Sequence, residues 1–332
     1  MNILLIAGGW SKEREVSLNG AKNIHEALVR LGHNVTMYDP GSSLAGLCEA
    51  AHGQDFAFIN LHGAPGEDGV VQALLDTVKV PYQGSGPAGS FLALNKDAAK
   101  SVFRNNNLIT PDWILLTESP FKQSVSDAEK WVSPFGYPIF AKNNTGGSSL
   151  GMARISSEEA VKPEIERLFS EGGEYLVEPA CDGVEVTCGV LGSLRKVNGL
   201  LTEIPESLPP ILIRPKSGDS KFFDYTNKYV PGAAEEICPA PLPKTLTERI
   251  QQITLSAHQA LGLRGYSRAD FILTEDGTPM LLEVNTLPGM TSNSLVPQEA
   301  RAVGMDFDQL IERLIHLGLH AAGKLEESML AE

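Results

Sequence analysis

Basic side chains are scarce in this chain. Against 41 acidic residues stand 27 Lys and Arg, for a net charge of −14. A surface of that sign repels phosphate backbones and anionic headgroups, so nucleic-acid and membrane partners are not expected. A small anion in a local basic pocket stays compatible with it. Cysteine is equally sparse: Cys48, Cys181, Cys188 and Cys238 form no CxxC pair and no cluster with histidine. The expected reading is reduced thiols in a cytoplasmic protein, with neither a disulfide framework nor a thiolate metal centre. Long hydrophobic runs are missing too. The opening "MNILLIAGGW" is too short to span a bilayer and carries neither a basic leader nor a cleavage site.

What is present is ordinary globular material: 332 residues, 42% hydrophobic and 20% charged, enough for two or three domains. "NILLIAGG" reads as a buried strand ending in a glycine turn, and "EREVSLNGAKNIHEALVRLG" as a helix with a glycine stop. "HNVTMYDP" and "DFAFINLHG" are further strands, and "GVVQALLDTVK" a further helix. This alternation predicts a parallel sheet covered by helices. A helix is expected near 90–106 and another over 126–132, then strands at "YPIFAKN" and "LGMARI". From 175 onward strands dominate, around a helix over 244–262. A final amphipathic helix is expected at about 307–321, with Phe307, Leu310, Ile311, Leu314 and Ile315 on one face. The fold class is α/β in three lobes: 1–95, 96–181 and 182–332.

The stretch "ADFILTEDGTPMLLEVNTLPGM" (269–290) asks why carboxylates stand where apolar side chains should be buried. Asp276-Gly277 is a strong two-residue hairpin turn. With that turn, Glu275 faces Thr278, Asp270 faces Glu283, and Arg268 faces Asn285. Side chains alternate across a strand, so these last four share one side of the ribbon, while Phe271, Leu273, Leu282 and Val284 fill the other. Two facing carboxylates repel by about 1 kcal/mol in water and about 4 kcal/mol where partly buried. A hard divalent cation offsets that repulsion and accepts carboxylate and phosphate oxygens together. A solvated ribbon with incidental acids is the alternative.

Phosphate motifs need care. "GLHAAGK" (318–324) fits GxxxxGK, but Leu325 stands where a hydroxyl is required and no strand precedes it. "GSGPAG" (84–89) fits GxGxxG, yet contains Pro87 and falls in the fourth unit, against a dinucleotide fold. "IFAKNNTGGSSLGMARI" offers a strand carrying Lys142, a Gly/Ser loop with Ser148 and Ser149, and a strand leaving. Its backbone amides could cradle phosphates, or the segment could be a plain hairpin loop.

Taken together, "EREVSLNG", "LHGAPGEDG", "PYQGSG", "LNKD", "AKNNTGGSSLGM", "FFDYTNKY" and "GYSRADFI…LLEVNTLPGMTSNSLVP" resemble, in collinear order over about 3–318, the D-alanine–D-alanine ligases of the ATP-grasp superfamily. The resemblance implies an N-terminal parallel α/β lobe, a small central lobe and a mainly antiparallel C-terminal lobe. It implies ATP-dependent ligation of two D-alanines through an acyl phosphate, for peptidoglycan precursors. By the same resemblance, Asp270, Glu283 and Asn285 hold two Mg²⁺ ions, with Mn²⁺ able to substitute. Lys96, Lys142 and Lys228 contact phosphates, with Ser148 and Ser149 in the flap. Glu178 and the Cys181 backbone meet the adenine edge, Glu185 the ribose, and Met152, Phe222, Ile272 and Leu282 enclose the ring. Glu15 receives the first D-alanine's ammonium group, in a set with Ser148 and Tyr229. Ser294 and Leu295 receive the second carboxylate, Arg268 and the Gly289 N–H act as oxyanion donors, and His62 lies on the substrate side. Residues 217–230 form a lid. Glu67 and Asp68 are expected to charge a helix N-terminus. Asn143, Gly146 and Pro179 depart from the family's usual residues, while Tyr229 favours the dipeptide over a D-lactate product. A homodimer through the N-terminal lobe is implied. The alternatives are a D-lactate or D-serine ligase on the same scaffold, a silent ATP-binding regulator, and an NAD dehydrogenase.

Overall fold

A computed structural model of the chain describes residues 1–117, 130, 135–147, 152–215 and 234–326. Three sheets organise it. The first has order β2-β1-β3, from Asn34–Tyr38, Asn2–Ala7 and Phe56–Asn60, with every pairing parallel. β1 and β3 are buried almost throughout, as unbroken apolar runs covered on both faces must be. Helix α1 (Arg14–Arg30) turns its Ser17, Gly20, Ala21, Ile24, Ala27 and Leu28 face inward. Short helices α2 (Leu47–Ala51) and α3 (Val70–Thr77) complete the crossovers.

The helix expected near 90–106 is two helices: α4 (Pro87–Leu94) and α5 (Lys96–Asn105). Asn95 breaks them. Its backbone is extended, and its side chain accepts from the Ala98 N–H at 3.0 Å as the cap of α5. The second sheet is antiparallel, in the order β4 (Ile114–Leu116), β7 (Tyr175–Pro179), β5 (Ile139–Asn143), β6 (Met152–Ile155). A helix over Val161–Ser170, absent from the sequence expectation, covers one face through Val161, Ile165, Leu168 and Phe169. The segment expected to be helical at 126–132 lies outside the described residues except for Lys130.

The third sheet runs β11 (Ala234–Ile237), β10 (Ile211–Pro215), β8 (Val184–Val197), β12 (Tyr266–Leu273), β13 (Pro279–Asn285), with β9 (Leu200–Ser207) also paired to β8. The helices Lys244–Ala260 and Phe307–Ala321 stand where periodicity puts them. The latter opens on a capping box between Asp306 and Gln309. Among the described residues no helix is long and apolar enough to cross a membrane.

The cores do not follow the chain-order cuts at 95/96 and 181/182. Ala93, Ala99 and Phe103 pack with Val186, Ile250, Phe271 and Leu281, so α4 and α5 belong to the C-terminal lobe's core. The C-terminal helix packs its Leu310, Leu314 and Leu317 with Leu4, Ile24 and Phe58 of the N-terminal sheet. Chain order misassigns both because an amphipathic helix goes to whichever apolar face is uncovered.

Candidate active site

The hairpin of β12 and β13 places Asp270 opposite Glu283 and Arg268 opposite Asn285, as expected. The turn that achieves it is not the expected one. Thr274 rather than Glu275 faces Thr278: the Thr274 N–H donates to the Thr278 carbonyl at 3.1 Å, and Gly277 closes a three-residue loop at φ 79°. That loop shifts the lower pairs by one, so Phe271 faces Leu281. A bulge between Asp270 and Phe271 restores the register above it. Its consequence is a correction: Leu281, not Leu282, joins Phe271, Leu273 and Val284 in the core, and Leu282 is left half-buried.

Asp270 is buried and heavily bonded. Arg268 grips it with Nε at 2.8 Å and Nη2 at 2.7 Å, Asn285 Nδ2 donates at 3.0 Å, and the Thr187 hydroxyl donates at 2.7 Å. Burial works against the Arg268 charge, but Asp270 outweighs it and holds the guanidinium above its ordinary pKa. Glu283 faces Lys96 Nζ at 3.5 Å. The two carboxylates are thus compensated by two cations drawn from different elements. Among the described residues no three His, Cys, Asp or Glu side chains converge, so a cation here would take its third protein donor from the Asn285 carboxamide. Two carboxylates and a carboxamide oxygen are hard donors, and they suit a small divalent ion.

Lys142, next to last in β5, lies opposite Met152 of β6, near the mouth of the glycine loop. Its ammonium is ion-paired with Glu178 of β7. Burial opposes its charge, but Glu178 and the more distant Glu283 raise its pKa above the ordinary value. A second cation, unforeseen from the sequence, completes this group: Lys100 of α5 reaches Glu178 Oε2 at 2.9 Å. Although burial disfavours its charge, Glu178 is driven down to about 2 by these two lysines. Lys96 Nζ donates to the Gly146 carbonyl at 2.5 Å, and buried Asn144 accepts from the Asp97 N–H at 2.9 Å, tying the loop to the start of α5.

Glu15 does not reach this place. It is exposed in the first turn of α1, whereas Glu13 is buried. The helical repeat explains it: 13 lies on the face of Ser17, Gly20 and Ile24, and 15 on the solvent face. A Cβ added at Gly147 of the loop would lie 2.7 Å from Glu13 Oε2. His62 is buried beside Glu13, and burial, aided by Arg268, lowers its pKa against the pull of Glu13. Glu67 is likewise buried; it accepts from the Gly63 N–H at 2.7 Å and is pushed up to about 7 by burial and by Glu13. Only Asp68 meets the expectation of a helix-start acid, accepting from the Val70 N–H at 3.0 Å.

The remaining expected residues fall as follows. Ser294 is the N-cap residue of the helix Leu295–Ala302, its hydroxyl 2.7 Å from Thr291 Oγ1, and a Cβ at Gly289 would lie 3.0 Å from it. Cys181 follows β7, while Glu185 of β8 pairs with Ile272 of β12. Ser148, Ser149, Phe222, Lys228, Tyr229 and the expected lid at 217–230 lie outside the described residues. Sequence reasoning missed Glu13 and Lys100, though each carried a signal. Glu13 shares the buried stripe of α1, and Lys100 follows Lys96 by one helical turn beside apolar Ala99 and Phe103.

A family model described as the C-terminus of D-ala D-ala ligase matches residues 102–316. The chain belongs to the D-alanine–D-alanine ligase family. It is 60% identical to the D-alanine–D-alanine ligase of Oleidesulfovibrio alaskensis, over 98% of this chain and 99% of that one. Among solved structures it resembles the Bacillus anthracis D-alanine–D-alanine ligase complexed with ATP, at TM-score 0.80 and 30% identity, covering 98% of each chain. It also resembles the VanG D-Ala:D-Ser ligase of Enterococcus faecalis, at TM-score 0.79 and 26% identity over 95% of this chain and 98% of that one.

Proposed function

We propose that the chain joins two D-alanines into D-alanyl-D-alanine, cleaving ATP to ADP and phosphate, and so supplies peptidoglycan precursors in the cytoplasm. One observation carries this reading. The Asp270/Glu283/Asn285 ribbon face, the Lys96 and Lys142 ammonium groups and buried Glu13 meet around a glycine loop.

A carboxylate resists attack by an amine because its own charge repels the nucleophile and its oxygen leaves poorly. Transfer of the γ-phosphoryl group of ATP to the first D-alanine's carboxylate removes both obstacles. Lys96 and Lys142, with Lys228, face the charge on the transferring group, and Ser148 and Ser149 flank it in the loop. Asp270, Glu283 and Asn285 would hold two Mg²⁺ ions, or Mn²⁺, which when bound supply further neutralisation of phosphate charge. Glu178 and the Cys181 backbone read the adenine edge, Glu185 the ribose, and Met152, Phe222, Ile272 and Leu282 enclose the ring.

Glu13 takes the part first expected of Glu15, receiving the first D-alanine's ammonium group beside Ser148 and Tyr229, with His62 on the substrate side. Ser294 and Leu295, at a helix start, receive the second carboxylate. The second amine then attacks the acyl carbon, Arg268 and the Gly289 N–H hold the oxyanion, and phosphate leaves. Water would destroy the acyl phosphate, which is why a lid at 217–230 belongs to this proposal. So does a homodimer through the N-terminal lobe.

ADP release measured with D-alanine, D-lactate, D-serine and L-alanine in turn, with and without Mg²⁺, tests the proposal. D-alanine-dependent release that needs the metal is expected. Absence of such release, or faster release with D-lactate or D-serine as acceptor, would overturn it.

A further inference from the structure

Lys100 is the most deeply buried cation of the described residues, 1% exposed, and it lies outside every expected contact. Its three N–H bonds are all taken: Glu178 Oε2 at 2.9 Å, Thr110 Oγ1 at 2.8 Å and the Pro111 carbonyl at 3.0 Å. The ammonium also lies 5.4 Å from the centroid of the Trp113 ring, which Arg104 covers at 4.1 Å and Asp97 fixes through Trp113 Nε1 at 2.7 Å. An ion pair this anchored costs several kcal/mol to desolvate, and an apolar pair of the same volume would often hold a fold as well or better. A requirement other than packing is therefore indicated.

Glu178 supplies that requirement. Its Oε1 is held by Lys142 and its Oε2 by Lys100, so the group carries one carboxylate and two cations. Lys142 sits at the mouth of the phosphate loop, 20% exposed, and can turn to an incoming phosphate; Lys100 cannot. A buried carboxylate that loses its one partner takes up a proton and becomes a donor. With Lys100 beneath it, Glu178 stays an acceptor after Lys142 has gone.

We propose that Lys100 is a positioning residue for nucleobase selection, holding the Glu178 carboxylate as a hydrogen-bond acceptor that takes a 6-aminopurine and refuses a 6-oxopurine. This rests on the assignment of Glu178 to the adenine edge. A site that aims a buried charged acceptor at an amino group leaves two acceptors facing each other when a 6-oxo group replaces it.

The test compares ATP with inosine triphosphate, which differ at the 6-substituent and in N1, an acceptor in the first and an N–H donor in the second, using the whole chain with D-alanine and Mg²⁺, alongside calorimetric nucleotide binding without D-alanine. The wild type is expected to favour ATP by about 100-fold or more in kcat/KM. Lys100→Met is expected to lower kcat/KM for ATP by about 30-fold, mostly through KM, and to lower that for inosine triphosphate by less than about threefold. Lys100→Arg should restore most of the preference. A purely structural role would weaken both nucleotides in parallel, and that parallel loss overturns the proposal, as does equal wild-type binding of the two. Should Lys100→Met not fold, Thr110→Val removes one anchor and keeps the charge; the preference should then fall by about threefold, and an unchanged ratio overturns the proposal. A wild type that selects ATP in calorimetry yet releases no ADP with D-alanine would sink the ligase reading and leave this one standing.

Discussion

The two walls of the site are held by different means. One wall, from the N- and C-terminal sheets, stands on a continuous apolar core in which Leu4, Phe58, Tyr266, Met290 and Leu314 belong to the same cluster. The other, the central sheet, has a smaller core of its own around Ile139, Ile165, Leu168 and Val177. It meets the rest through polar ties: Lys100 to Glu178, Lys96 to the Gly146 carbonyl, and Lys12 to Glu171 at 3.7 Å. Apolar burial cannot be traded for a ligand contact, whereas an ion pair can be exchanged for one at small net cost. The wall that carries Arg268 and Asp270 is therefore the fixed one, and the wall that carries Lys142 and the glycine loop is built to exchange partners.

Breaking the fixed wall's chemistry should have the largest effect. Glu283→Gln keeps the shape and removes a charge that faces Lys96, so D-alanine-dependent ADP release should fall by about 10³-fold, roughly 4 kcal/mol. Thermal unfolding should stay within a few degrees of wild type; near-normal turnover would detach the hairpin from the reaction. Leu168→Ala sharpens the comparison of cores. Truncating this fully buried side chain should cost about 3 kcal/mol in denaturant unfolding. Hydrogen exchange should quicken on β5 and β7 and stay unchanged on β1 and β3. Equal quickening on all four strands would mean that the walls unfold as one unit.

A smaller effect separates the two acids of α1. Glu13→Gln should raise the KM for D-alanine about 100-fold, and Glu15→Gln should leave it within about twofold, since only the first faces the loop. The reverse order would restore Glu15. The smallest effect concerns Glu299, fully buried beneath Gly189, whose N–H it accepts at 2.9 Å. Burial pushes its carboxyl up to about 8, opposed by Gly189 and Arg268. The folded chain thus keeps this proton while the unfolded chain loses it, and the cost to stability grows as pH rises from about 4.5 towards 8. Glu299→Gln has no such proton to lose. Its stability relative to wild type should improve steadily as pH rises from 5 to 8 in denaturant titrations. A pH-independent difference would mean that Glu299 is ionised in the fold.

Much of the reacting face was legible in the sequence. Asp270, Glu283, Arg268 and Asn285 could be placed together because side-chain alternation is a property of the strand itself, and a turn signal fixes which residues face each other. The turn itself was misread, since Glu275-Asp276-Gly277 closes a three-residue loop. The face survived only because the bulge at Leu282 compensates. The buried stripe of α1 runs through 13, 17, 20 and 24, and that period separates Glu13 from Glu15. Lys100 was harder: a lysine one turn after Lys96 is ordinarily solvated, and nothing local announces a carboxylate on a strand 78 residues later.

Alone, the sequence determined the elements and their inward faces: the buried run of β1, the stripe of the helix Phe307–Ala321, the facing of Asp270 and Glu283. These follow mainly from backbone geometry within a few residues, where side-chain alternation and helical period set which way each residue faces. Only the tertiary structure decided that α5 serves the C-terminal core, that the last helix closes the first sheet, and that Lys100 and Lys142 share one carboxylate. Those outcomes depend on which apolar surfaces and charges remain unmatched after the sheets have formed. That is a sum over the whole chain, and no short stretch of residues contains it.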